Sequence, residues 1–123
     1  IGNPDSLMLN NNLASLLSEH RTDSKSLKRA KELADKLKQV EQPLVRDTVG
    51  WVYYKTGDYS GAITILKSVV EDEPDKAIFN FHLGMAYYKT NDKDAARTFL
   101  SKAVKSESDF TGRNEAEELL KSL

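Results

Sequence analysis

Residues Gly50–Val70 read GWVYYKTGDYSGAITILKSVV, and Gly84–Val104 read GMAYYKTNDKDAARTFLSKAV. The offset is 84 − 50 = 34 residues, and the two stretches share Gly, Tyr, Tyr, Lys, Thr, Asp, Ala, Thr, Leu and Val in register. A near-copy at such a spacing marks a chain built from stacked supersecondary units, each of which buries its apolar face only against its neighbour. Fold class is therefore strongly constrained, whereas the identity of any ligand is not.

Composition narrows the remaining options. With 123 residues, 39% of them hydrophobic and 30% charged, the chain can build a core and is not a disordered segment. The formal net charge of −1 supplies no global field toward nucleic acid or an anionic membrane. The absence of cysteine excludes a disulfide framework and thiolate metal sites. No apolar run reaches the roughly 18 residues of a spanning helix, so no direct membrane insertion by this segment is expected. The start at Ile1, and Pro4 standing ten residues before Ala14 as Pro74 stands before Gly84, lead to the expectation of a piece excised from a longer array.

Periodicity predicts a first helix from Asp5 to about His20, with Leu7, Asn10, Leu13, Ala14 and Leu17 at helical spacing. Asp23 or Ser24 is suited to cap a second helix running from about Ser24 to Val40. Its charged face, including Lys25, Lys28, Lys31, Asp35 and Lys38, reads as a solvated surface with Lys31–Asp35 and Glu32–Lys36 pairs, and a phosphate-binding stripe is the minority reading. Pro43 fits the first turn of a third helix. Gly57 and Asn91 fit left-handed helix stops, and Asp58 and Asp92 fit the caps that follow. Gly61 and Ala95 point to a small residue wanted inside the fourth and sixth helices. The last segment, Arg113–Leu123, places Ala116, Leu119, Leu120 and Leu123 on one face against Glu115, Glu117, Glu118 and Lys121, the pattern of a capping helix. The units divide at about 5–42 (degenerate, with about four extra loop residues near His20–Lys25), 43–76 and 77–110, with the cap at 111–123.

At these positions the chain resembles the tetratricopeptide repeat. The resemblance is carried by Val49–Gly50, Tyr53, Ala62, Leu66, Val69 and Pro74, and by Leu83–Gly84, Tyr87, Ala96, Leu100 and Ala103. Leu13–Ala14, Leu17, Ala30, Ala34 and Leu37 carry it in the degenerate unit, while Leu37, Val69 and Ser108 depart from the family pattern. The likeness implies an all-α, right-handed superhelical array of α-α hairpins, a solenoid of about seven helices. Asn12–Leu13–Ala14 and Asp47–Val52 also look like C-terminal arrays of large bacterial repeat proteins, some of them envelope lipoproteins tied to exopolysaccharide export and protein sorting. That likeness leaves both a bacterial cytoplasm and a periplasmic or envelope setting open.

The resemblance further implies that the first helix of each hairpin lines a concave wall that binds proteins or peptides. Helical spacing then assigns Asp47, Trp51, Tyr54 and Lys55 to that wall, and the repeat offset adds Phe81, Met85, Tyr88 and Lys89. The degenerate unit contributes Asn11, Ser15, Ser18 and Glu19. Aromatic anchors beside charges suit protein recognition. Inter-repeat packing is the competing reading for Trp51, Phe81 and Met85. The family's terminal-carboxylate clamp is not expected, because Asn11, Ser15, Thr48, Ile78 and His82 occupy its positions without the cations. His20 and His82 have no metal-ligand spacing, and no catalytic constellation or cofactor loop is present. A non-catalytic interaction module is the leading expectation, with protein or peptide as partner and no nucleic acid. The alternative is a structural end segment or a self-association (homo-oligomer) module.

Overall fold

The computed structural model describes residues 10–17, 23–106 and 109–123, and all regular structure among them is α-helical. Helix α1 covers residues 10–17, and α2 spans Ser24–Leu37. Then follow α3 (Pro43–Lys55), α4 (Tyr59–Asp72), α5 (Ala77–Lys89), α6 (Lys93–Lys105) and α7 (Arg113–Ser122). From α2 onward each helix packs on the next, and α3 also touches α5 across the hairpin between them. This nearest-neighbour pattern is that of an α-solenoid with α1, α3 and α5 as inner helices and α2, α4 and α6 as outer ones.

Turn chemistry sets the hairpins. Gly57 (φ 92°) and Asn91 (φ 65°) hold the left-handed conformation. Around them Asp58 N–H donates to the Tyr53 carbonyl at 2.9 Å and Asp92 N–H to that of Tyr87 at 3.0 Å, which closes the preceding helix in the Schellman manner. The same aspartates turn round and cap the next helix, accepting from Gly61 N–H at 2.9 Å and Ala95 N–H at 3.2 Å. Asp23 does so for α2, accepting from Ser26 N–H at 3.0 Å. A short peptide between two helices thus has its orphan backbone groups satisfied from both sides.

Close approach explains the small residues. A Cβ on Gly50 would stand 2.7 Å from Leu66 Cδ2, and one on Gly84 would stand 2.8 Å from Leu100 Cγ. Leu66 and Leu100 are fully buried in the space these glycines vacate. At Gly61 the added carbon would meet the Asp58 carboxylate and the Tyr53 ring, so a small residue is wanted there as well. The Tyr53 ring also reaches α2, where its hydroxyl donates to Asp35 at 2.9 Å.

Two details differ from the sequence expectation. Helix α2 ends at Leu37 instead of Val40, because Val40 N–H turns back to the Leu37 carbonyl at 3.0 Å. Glu32 pairs with Arg29 at 3.5 Å rather than with Lys36, while the expected Lys31–Asp35 pair forms at 3.3 Å. The start of α7 breaks the repeat register. Position 113 follows Val45 and Phe79 in the repeat register, both fully buried, yet it carries Arg113. Its guanidinium donates to the carbonyls of Val104 (2.9 Å) and Ser106 (2.7 Å), satisfying backbone groups at the C-terminal end of α6. The expectations placed on Pro4, on the Asp5 helix start, on Ser18, Glu19 and His20, and on Ser108 lie outside the described residues.

Candidate functional site

A cleft of about 480 Å³ runs across the inner helices. Helix α1 contributes Asn11, Asn12 and Ser15, and α3 contributes Leu44, Asp47, Thr48, Trp51 and Lys55. Ile78, Phe81 and His82 of α5 and Thr111, Gly112 and Glu115 at the start of α7 complete it. A second cavity of about 380 Å³ adjoins, lined by Tyr54, Met85, Tyr88 and Lys89 with Glu115, Glu118, Leu119 and Ser122 of α7. Glu115 borders both. Of the twelve residues expected on the inner wall, the ten that are described fall into two groups: Asn11, Ser15, Asp47, Trp51, Lys55 and Phe81 in the first cavity, and Tyr54, Met85, Tyr88 and Lys89 in the second.

These residues are not equally accessible. Trp51 is the centre of a three-ring stack, with Tyr54 on one side (centroids 4.3 Å apart, planes 4° apart) and His82 at 4.0 Å and 19°. Both neighbours restrict the indole, which is itself buried, as are Phe81 and Met85. Lys55 Nζ lies 5.3 Å from the Trp51 ring centre. By contrast Tyr88 keeps 37% of its surface exposed and Leu44, at the mouth of the first cavity, keeps 52%.

Polar groups within the cleft are mostly paired. His82 Nδ1 lies 2.8 Å from Asp47 Oδ1 and 2.9 Å from Oδ2, joining α5 to α3 through a buried hydrogen bond. Asn11 is the exception. Only 4% of it is exposed, and its Oδ1 is buried without a hydrogen-bond donor among the described residues. An acceptor left so carries a desolvation cost.

Burial pushes the Tyr54 hydroxyl up to about 12, and the Glu115 carboxylate adds to the shift. The sign follows from the proton count. A tyrosine in the unfolded chain ionises near 10 while Tyr54 in the fold keeps its proton to about 12, so stability from this group is full below pH 10 and lost as the pH rises through 12. A phenolate absorbance titration is expected to show one late-ionising tyrosine that disappears in Tyr54→Phe.

Helix α7 has an inner-wall character that the capping pattern does not contain. Glu118, on the charged face of that pattern, lines the second cavity. The signal is present in the register: 81 + 34 = 115 and 85 + 34 = 119 carry Phe81 and Met85 onto Glu115 and Leu119, both of which line the cavities. The same offset relates Leu44 to Ile78, which share the mouth of the first cavity. Gly112 (φ 104°) begins this helix where a side chain would collide with the Phe81 ring. Phe110 packs on Phe81 as well, at 5.4 Å between centroids.

Among the described residues no group of three His, Cys, Asp or Glu side chains could hold a metal ion, and no helix is long and apolar enough to cross a membrane. A search among curated proteins returned no significant match. Residues 50–109 match the family model described as the tetratricopeptide repeat. That match takes in the C-terminal half of α3, all of α4, α5 and α6, and the Gly50–Leu66 and Gly84–Leu100 contacts, and over these residues the chain is a tetratricopeptide repeat array.

Proposed function

We propose that the inner face, from α1 across α3 and α5 to α7, binds a segment of a partner protein. Tetratricopeptide repeats generally mediate protein–protein interaction and are typically not catalytic. The observation that carries the reading here is the exposed Leu44 at the mouth of a cleft that it shares with Ile78. An occupant with an apolar side chain over Leu44 and Ile78 removes that exposed apolar surface from water.

In this reading the ten described inner-wall residues divide by role. Ser15, Lys55, Tyr88 and Lys89 meet the partner directly, and Asn11, Asp47, Trp51, Tyr54, Phe81 and Met85 shape the wall behind them. The lysine-bearing face of α2 is occupied with its own acids, Lys31 and Lys38 both reaching Asp35, which supports a solvated surface over a nucleic-acid site.

Panning a random peptide library against the chain tests the reading. Selected peptides are expected to bind at least about tenfold more weakly, roughly 1.4 kcal/mol, to Leu44→Asp. The thermal melt of that variant should match the parent, since Leu44 is half out of the structure. Peptides indifferent to both Leu44→Asp and Asn11→Ala would sink the proposal.

A further inference from the structure

We infer that His82 sets the polar specificity of the cleft: its Nε2 accepts a hydrogen bond from a main-chain N–H of the bound segment, and Asp47 is the positioning residue behind it. This role presupposes recognition by the inner face. His82 Nδ1 lies 2.8 Å and 2.9 Å from the two oxygens of the buried Asp47. An ionised carboxylate only accepts, so the contact fixes the ring proton on Nδ1 and leaves Nε2 of the neutral ring as an acceptor. The Trp51 indole, stacked at 4.0 Å and 19°, holds the plane of the imidazole. Nε2 itself meets no donor among the described residues. Unlike Asn11 Oδ1 it is not sealed in the interior, and His82 lines the cleft.

The pair is not a product of the repeat. One step of 34 residues carries Asp47 onto Phe81 and His82 onto Ala116, both apolar and buried, so the stacking of hairpins does not call for a carboxylate and an imidazole at this seam. Their burial carries a desolvation cost that the apolar pair avoids, and what it adds is a directed acceptor. The position of that acceptor selects its donor. His82 stands one helical turn from Ile78 at the apolar mouth, about 6 Å along α5. An extended segment advances about 3.3 Å per residue, so a side chain seated on Leu44 and Ile78 brings a neighbouring amide within reach of Nε2. An amide that has given up water on entering the cleft needs such an acceptor.

A peptide selected on the chain is resynthesised with each amide in turn replaced by an ester, which removes one N–H and little else, and affinities are read by fluorescence anisotropy. One replacement is expected to weaken binding to the parent chain at least about tenfold and to cost nothing further in the double variant Asp47→Leu with His82→Phe. That variant removes both polar partners together and keeps a ring against Trp51, so its thermal melt should stay close to the parent's. The imidazole nitrogen resonances of the parent chain give a second readout that needs no variant. At mildly alkaline pH His82 should carry its proton on Nδ1, and saturating peptide should shift Nε2, whereas saturating ester peptide should not. A proton on Nε2, an Nε2 signal unmoved by the peptide, or an ester penalty of equal size in both chains overturns the inference while recognition at Leu44 stands. Peptides indifferent to both Leu44→Asp and Asn11→Ala remove the inner-face reading and this inference with it.

Discussion

Phe79→Ala is expected to destabilise the chain by about 4 kcal/mol, the usual cost of emptying a fully buried aromatic site. For a chain of this size that lowers the melting temperature by roughly 15 °C, measured by circular dichroism. Phe79 is completely buried in α5 and stands in register with Val45 of α3, also completely buried. Helices α3 and α5 thus each drive one apolar side chain into the core at this position. Helix α7 has Arg113 there instead, which serves backbone carbonyls of α6 and its C-terminal flank, so the apolar series does not continue past α5. Urea unfolding should give the same ranking, with Val45→Ala costing less because fewer atoms leave the core.

Trp51→Ala is the second large effect, at about 3–4 kcal/mol. It removes the middle ring of the Tyr54–Trp51–His82 stack and leaves the buried Asp47–His82 pair packed against a void. Aromatic pairs of this kind add stability beyond their buried area. The expected result is a lower melting temperature together with weaker partner capture, the second following from the first. Trp51→Phe, which keeps a ring in the stack, should recover most of the stability. Leu44 and Tyr88 are therefore better probes of recognition than the tryptophan.

Much of the scaffold was readable from local chemistry. Gly57 and Asn91 had to be left-handed, Asp58 and Asp92 had to cap, and Gly50 and Gly84 had to yield space, because each requirement involves residues close in sequence or fixed by one 34-residue step. Exposure on the inner wall was harder to read. Helix α5 is buried continuously from Phe79 to Ala86, so it has no amphipathic period from which an exposed face could be inferred. Likewise the partner that closes one side of Trp51 is His82, from the next hairpin, a contact that the pattern within α3 does not contain. The role of α7 was concealed by its charge. Glu115 and Glu118 look like solvation on an isolated helix; the repeat register carries Glu115, in step with Phe81, onto the inner wall, whereas Glu118, in step with Gly84, is not marked by it.

The most direct measurement is the methyl spectrum of the chain, followed by nuclear magnetic resonance as a library-selected peptide is added. The account predicts that the methyl groups of Leu44 and Ile78, at the mouth of the cleft, shift with saturation. Those of Ile63 on α4 and Val104 on α6 should stay in place. Shifts confined to the outer helices, with Leu44 and Ile78 unmoved, would contradict recognition by the inner face.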